Sequence, residues 1–397
     1  MLKLFRVAVT LFFLVTVGSQ LSFSQNNSAL MILIINPKYA GETGQMKGVA
    51  RYLKDNIERQ NESIEIKEVE SEDLDKVLNI LSSYKGNKKP LILGAGNTGI
   101  KVLKAIKSQF PSVLSIYLAH QLFNGYETLI KTSSNTNGVN LMILPKHVIT
   151  PSFAASINNS ETKLLEVIGV AHNITRQDLV KEYEEYKSEI PGIDTENYTV
   201  AILGGDAENP DGSWLYFTKE DALKLAKNIE KHLPQDGHLF VLNGPRTGKH
   251  NIDGSENKEA HRSEKLDPIT EAFVDYFRYH KGLKVFNFIY GKHGMYKAVL
   301  GKLTDVKDAT LWVPGESTSM ISETIDTLGG DKKVKILVYE HSAMSKVHKS
   351  HVKSEHAVYR VRVVSSDGKM SELTESSEVS TASAAKSAAD VIMKLFN

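Results

Sequence analysis

The densest run of residues able to do chemistry is Trp312-Val313-Pro314-Gly315-Glu316-Ser317-Thr318-Ser319-Met320-Ile321-Ser322-Glu323. It reads as the end of a strand, a glycine turn, and hydroxyl side chains opening a helix. A helix N-terminus offers unpaired N–H groups and the positive end of a dipole, which suit an anion such as phosphate. Ser317, Thr318 and Ser319 would add donors. Glu323, about one turn further on, is spaced to accept hydrogen bonds from a ribose diol if the ligand is a nucleotide. A plainer reading fits equally well: Ser317 caps the helix and Glu323 complements its dipole.

Two more loops follow predicted strands in the same half of the chain. In Leu203-Gly204-Gly205-Asp206-Ala207-Glu208-Asn209, paired glycines either let the backbone approach a ligand or make a tight turn. In Asn243-Gly244-Pro245-Arg246-Thr247-Gly248-Lys249-His250, Arg246 and Lys249 can neutralise a diphosphate, or the loop is simply solvated. All three loops would converge on one rim, as a binding cleft requires. His120 and His147 follow strands and can face such a cleft as general bases, or serve as ordinary core or surface histidines. His341, His348, His351 and His356 lack a carboxylate that would complete a metal-binding pattern. Lys346, Lys349 and Lys353 are interleaved with them, so the segment reads as basic and solvated, and no metal site is expected.

The chain lacks cysteine, which excludes disulfides, thiol nucleophiles, zinc ribbons and iron–sulfur centres. Its 48 basic and 47 acidic side chains leave no positive excess for binding a nucleic-acid backbone. Serine-hydrolase, P-loop and zinc-peptidase motifs are absent.

These loops must be positioned by alternating strands and helices. Strands are predicted at Met31 to Asn36, Ile64 to Val69, Pro90 to Leu93, Val113 to Leu118 and Val139 to Leu144. A second series comprises Tyr198 to Leu203, His238 to Leu242, Lys284 to Phe288, Ala309 to Val313 and Val334 to Tyr339. Met46, Val49, Ala50, Leu53 and Ile57 recur at helical spacing behind the first strand, and Val102 to Ile106 reads as another helix. An acidic helix, Asp178 to Ile190, ends at Pro191-Gly192. Further helices begin near Thr218, Pro268, His293 and Ser317. The pattern is an α/β fold with two Rossmann-like domains facing a cleft, over residues 31–190 and 198–364. Residues 365–383 read as a linker, and 384–397 as an amphipathic helix docking back on a domain.

Residues 1–24 have the layout of a secretory signal: Lys3 and Arg6, an apolar run from Val7 to Val17, and a polar stretch to Ser24. The run is shorter than the roughly 20 residues a membrane span needs, so cleavage and export are expected, with no stable transmembrane span afterwards. A start at Met31 would instead give a cytoplasmic form. The Asn-x-Ser/Thr sites at Asn61, Asn173 and Asn197 matter only in a eukaryotic secretory pathway.

Together the loops resemble the mitochondrial-fission Elm family, whose fold is similar to that of GT-B glycosyltransferases. The resemblance is carried by Pro37-Lys38-Tyr39-Ala40-Gly41-Glu42-Thr43-Gly44-Gln45, Gly94-Ala95-Gly96, Gly204-Gly205, Arg246-Thr247 and Ser317 to Glu323, and spans Met31 to Tyr339. The family usually has paired arginines before the threonine and a proline after it, whereas this chain has Pro245-Arg246-Thr247-Gly248. Asp usually stands at the place of Glu316, and Pro and Ser usually follow the Gly-Gly pair, where Asp206 and Ala207 stand here. The resemblance implies a nucleoside-diphosphate sugar as donor substrate, with no cofactor or metal. Gly204, Gly205, Arg246, Thr247, Ser317, Thr318, Ser319 and Glu323 would bind the nucleotide, with Glu323 at the ribose. Gly41, Gly44, Gln45, Gly94 and Gly96 would form the acceptor side, with Glu42 as base. The alternative is a catalytically inactive exported protein that binds a protein partner on the same scaffold, as plant members recruiting a dynamin-like partner suggest.

Overall fold

The computed structural model describes residues 29–396 apart from 135–136, 192–196, 210–211, 235, 252, 331–332, 359 and 373–382. The expected signal at 1–24 and most of the 365–383 linker lie outside the described residues.

Leu30–Asn36 forms strand β1 because an unbroken apolar run can be buried on both faces of a parallel sheet. Leu30, Ile32 and Ile34 enter one core layer, and Met31, Leu33 and Ile35 the layer on the opposite face. Strands β2 (Ile64–Glu70), β3 (Leu91–Ala95), β4 (Leu114–Leu118), β5 (Leu141–Pro145) and β6 (Lys163–Val167) complete a parallel sheet in the order β2-β1-β3-β4-β5-β6. Ile32 stands in register with both Ile66 and Leu91. Helices α1 (Ala40–Arg59), α2 (Leu74–Ser83), α3 (Gly96–Gln109) and α4 (Pro151–Asn158) connect these strands.

Helix α5 (Arg176–Tyr186) leads from the first lobe to the second. Its Leu179 is buried in the second lobe's core. There β7 (Asn197–Ile202), a short hairpin of β8 (Ala207–Glu208) and β9 (Trp214–Leu215), β10 (His238–Leu242), β11 (Leu283–Phe286), β12 (Asp308–Pro314), β13 (Val334–Tyr339) and β14 (Arg362–Val364) follow. The hairpin stands apart. The other strands form a second six-stranded parallel sheet, β11-β10-β7-β12-β13-β14. Val200 of β7 pairs with Phe240 on one side and Leu311 on the other. This lobe's helices are α6 (Lys219–Glu230), α7 (Pro268–Tyr276), α8 (Tyr296–Lys302), α9 (Thr318–Leu328) and α10 (Lys346–Ala357). Helix α6 opens on the capping box of Thr218 and Asp221 that its sequence predicts.

The chain then returns to the first lobe. Helix α11 (Ala384–Phe396) buries Ala384, Ala385, Ala388, Ala389 and Ile392 against the same core as α1 and β1. Strands β6 and β14 and helices α2, α4 and α10 were not expected from the sequence. The last of these carries the expected basic segment, with Lys346, Lys349 and Lys353 exposed, but buries His351, Val352 and Glu355 on its other face.

Candidate functional site between the lobes

In an open parallel sheet, ligands bind beyond the carboxyl ends of the strands where the strand order reverses. In the first lobe that point lies between β1 and β3, and in the second between β7 and β12. The segments leaving those strands carry Gly41 to Gln45 at the start of α1 and Gly96 at the start of α3 in one lobe, and Gly204-Gly205 and Gly315 to Ser319 in the other, instead of the acceptor-side loops the sequence suggests. The two switch points meet: a Cβ built on Gly41 would stand 3.6 Å from the Ser319 hydroxyl oxygen.

On the first lobe's side, Glu42 lies in the opening turn of α1 and is 9% exposed. Its Oε2 has no hydrogen-bond partner among the described residues. Burial raises its pKa to about 7. Gly96 makes this possible. It has φ +63°, and a Cβ there would fall 1.8 Å from Glu42 Oε1, so only glycine leaves room for the carboxylate. Gly94 serves packing instead, since its Cβ would collide with Leu103 at 2.8 Å. Gly44 approaches Asn173, and Gln45 is buried on α1.

On the second lobe's side, Glu316 organises the loops. Its Oε1 accepts the Gly205 N–H at 2.8 Å, and its Oε2 accepts from His341 Nε2 at 2.6 Å. The Ala343 N–H donates to His341 Nδ1 at 3.2 Å, which leaves Nε2 as the ring's donor. Burial would raise Glu316. The bond from His341, the nearby Arg246 charge and the Gly205 amide outweigh it and hold the carboxyl below its usual range. Gly205 is pressed on its other side by Arg246, whose Cβ would lie 2.6 Å from a Cβ at position 205. A Cβ on Gly204 would fall 2.7 Å from the Phe217 ring, so both glycines are required by packing within the protein. Thr247 is 1% exposed and donates to the Gly204 carbonyl at 2.9 Å. It braces this loop rather than facing a ligand as the sequence suggests.

The cleft-facing groups are therefore fewer than expected. The Arg246 guanidinium has no hydrogen bond or ion pair among the described residues, and neither do the hydroxyls of Ser317, Thr318 and Ser319. Ser317 is the N-cap residue of α9 but makes no side-chain cap bond, contrary to the plainer of the two readings of that loop. Glu323, one turn into α9, accepts from the Tyr296 hydroxyl at 3.0 Å. Burial raises its pKa against the pull of His172 and of that bond. A cavity of about 600 Å³ in the second lobe is lined by Pro245, Lys249, His261, Arg262 and Tyr290 among others, with Arg246 outside its lining.

The sequence marks His120 and His147 as able to face the cleft, but takes His348 and His351 for part of a solvated segment. His147 Nδ1 lies 3.4 Å from His351 Nδ1 across the lobes, with the rings edge-to-face at 4.7 Å. His120 and His348 lie within electrostatic reach of each other and of Arg246. Burial, with neighbouring positive groups, lowers His120 and His147 to about 4. His348, His351 and Glu355 recur at helical spacing along α10, which is the signal that places them on one face. Nearer α5, His172 meets Asp326 at 2.9 Å, Arg360 pairs with the other Asp326 oxygen, and the Val170 N–H donates to Ser322 Oγ at 2.8 Å. Among the described residues no group of three or more His, Cys, Asp or Glu is placed to hold a metal ion. Among them, too, no helix is long and apolar enough to cross a membrane.

Two parallel Rossmann-like sheets whose switch points face each other define a protein with a GT-B glycosyltransferase-like fold. Residues 40–266, more than half of the chain, match the family described as Mitochondrial fission ELM1, and the chain belongs to that family. The stretch from Ser317 to Glu323 lies beyond the matched residues. No curated protein matches the chain. Among solved structures it is similar to the N-terminal domain of Candida albicans trehalose-6-phosphate phosphatase, with TM-score 0.49, 9% identity, and 95% of this chain and 97% of that one covered. It is also similar to the UDP-GlcNAc 2-epimerase from Neisseria meningitidis bound to UDP-GlcNAc, with TM-score 0.42, 10% identity, and 92% and 98% covered.

Proposed function

We propose that the cleft binds a nucleoside-diphosphate sugar and transfers the sugar to an acceptor hydroxyl without a metal ion. The meeting of the two switch points carries this reading. It sets a buried, unpartnered carboxyl at Glu42 against unpaired donors, Arg246 and the opening of α9. Arg246 and the first amides of α9 stabilise the diphosphate, and Glu323 takes the ribose hydroxyls. The cavity lined by Pro245, Lys249 and Tyr290 has room for the nucleoside, and the Tyr290 ring can lie against a base. In the transfer, the acceptor hydroxyl gives its proton to Glu42 as its oxygen bonds to the anomeric carbon. The carbon–oxygen bond to the diphosphate breaks, and its electron pair leaves with the nucleoside diphosphate.

The test is thermal denaturation with uridine, guanosine and cytidine diphosphates. A ligand at one hundred times its Kd stabilises the fold by about 2.7 kcal/mol. Arg246→Ala should weaken that ligand by about 10- to 100-fold, the worth of a charged hydrogen bond. If none of the three moves the wild-type melting curve, the reading is wrong. Residues 1–24 favour a second reading, an exported and inactive protein that binds a protein partner, because nucleotide sugars are cytoplasmic metabolites. Mass spectrometry of the native N-terminus decides between them: residue 25 first supports export, and residue 31 first supports a cytoplasmic enzyme.

A further inference from the structure

His348 closes a capping box unlike the other two among the described residues. At the starts of α5 and α6 the third helical residue is an aspartate, Asp178 and Asp221, whose ionised carboxylate can only accept. At the start of α10 that place is held by histidine, and the Ser345 N–H donates to its Nδ1 at 3.1 Å. A backbone N–H can only donate, so Nδ1 is the accepting nitrogen and the neutral ring carries its proton on Nε2. Burial first, then Arg246 and His341 against the pull of Glu316, lowers His348 to about 4, which keeps the ring neutral and in this tautomer at pH 7. The cap thus fixes an N–H donor whose hydrogen has no acceptor among the described residues.

The neighbours show where that donor stands. His348 shares its surroundings with Arg246 and Glu316 of its own lobe and with His120 and His147 of the other. Glu316 is already engaged by Gly205 and His341, and His147 faces His351. Glu355, further along α10, faces Arg360. Among the described residues the Arg246 guanidinium and His348 Nε2–H are left without an acceptor, as are the hydroxyls of Ser317, Thr318 and Ser319.

We infer that the Arg246 guanidinium and His348 Nε2–H form the pincer that takes the oxygens of one phosphate of the diphosphate, with His348 as a ligand-binding residue supplied by the start of α10. The inference rests on the reading of the cleft as a diphosphate site. It also explains the residue choice: aspartate or glutamate would cap α10 as well but would turn negative charge toward the ligand.

The test uses the full chain and isothermal titration with two probes, uridine diphosphate and inorganic pyrophosphate. His348→Asp keeps a capping acceptor and replaces the donor by a charge. It should retain the unliganded melting temperature and lose about 10- to 100-fold in affinity for whichever probe binds. His348→Gln, whose amide can accept from Ser345 and donate outward, should recover most of that loss. If His348→Asp fails to fold, His348→Glu supplies the same comparison with the commonest capping-box residue. Wild-type affinity in the acidic variants overturns the inference, and so does a glutamine variant as weak as they are. Undiminished uridine diphosphate binding in His348→Asp sinks the pincer and leaves the proposed function standing. Pyrophosphate binding that depends on His348, without nucleotide binding, supports the pincer and sinks the function. Failure of both probes to bind wild type overturns both.

Discussion

Glu42→Gln should make the protein more stable in alkali and inactive as a transferase. The carboxyl is 9% exposed, its pKa stands at about 7 through burial, and its Oε2 lacks a partner among the described residues. In the unfolded chain the value returns to about 4.5. Between those limits the folded state holds the proton more tightly than the unfolded one, so stability falls as pH rises. The loss is complete above pH 7 and absent below about 4.5. A shift of this size corresponds to about 3 kcal/mol at 1.36 kcal/mol per unit. Glutamine has nearly the same shape and never ionises, so it removes this penalty. Urea denaturation of wild type and Glu42→Gln at pH 4.5 and pH 8.5 isolates the effect, because Glu355, also raised to about 7 by burial, contributes equally to both proteins. The two curves should nearly coincide at the lower pH and separate by about 3 kcal/mol at the higher. Equal separation at both pH values would refute the assignment of a proton to this site. The same variant should bind nucleoside diphosphate as wild type does while sugar transfer drops by about 100-fold or more. Wild-type transfer should rise as pH climbs through 7.

Two further outcomes test the scaffold. Glu316→Ala should cost about 2–4 kcal/mol in denaturant titration, because the Gly205 N–H and the His341 ring are both left buried without an acceptor. An unchanged midpoint would show that the two loops hold together without this carboxylate. Ile392→Ala should cost about 2–5 kcal/mol by removing the most deeply placed large side chain of α11 from the first lobe's core. Faster amide exchange confined to α11 and the facing side of α1 would confirm the location, and protection lost only in the second lobe would contradict it.

The central strands were legible because each is an apolar run with turn residues behind it, and burial on both faces leaves no other use for such a run. The edges were not. Strand β6 reads Lys163-Leu164-Leu165-Glu166-Val167 and is mostly exposed or half-buried, so its composition carries little of the pattern that marks β1. Helix α10 was hidden for a different reason. Its buried face is His351, Val352 and Glu355, so a single apolar residue marks it, while the exposed Lys346, Lys349 and Lys353 dominate the composition. The loops of the site were found from glycines and hydroxyls after strands, yet the roles within them depended on partners far away in sequence. Glu316 meets a histidine 25 positions on, and Gly96 makes room for Glu42 across two loops. Neither relation has a spacing signature. For Gly204, Gly205 and Thr247, the need for a closely packed turn produces the same residues as the need for a ligand, and only coordinates separate the two.

Helix α11 has a mechanical consequence. The first described strand and the last helix both belong to one lobe, and the other is inserted between them like a bead on a closed loop. The polypeptide passes between the halves twice, once ahead of α5 and once ahead of α11. A hold on β1 or on α11 is therefore a hold on the Glu42 half, with the Arg246 half strung between them.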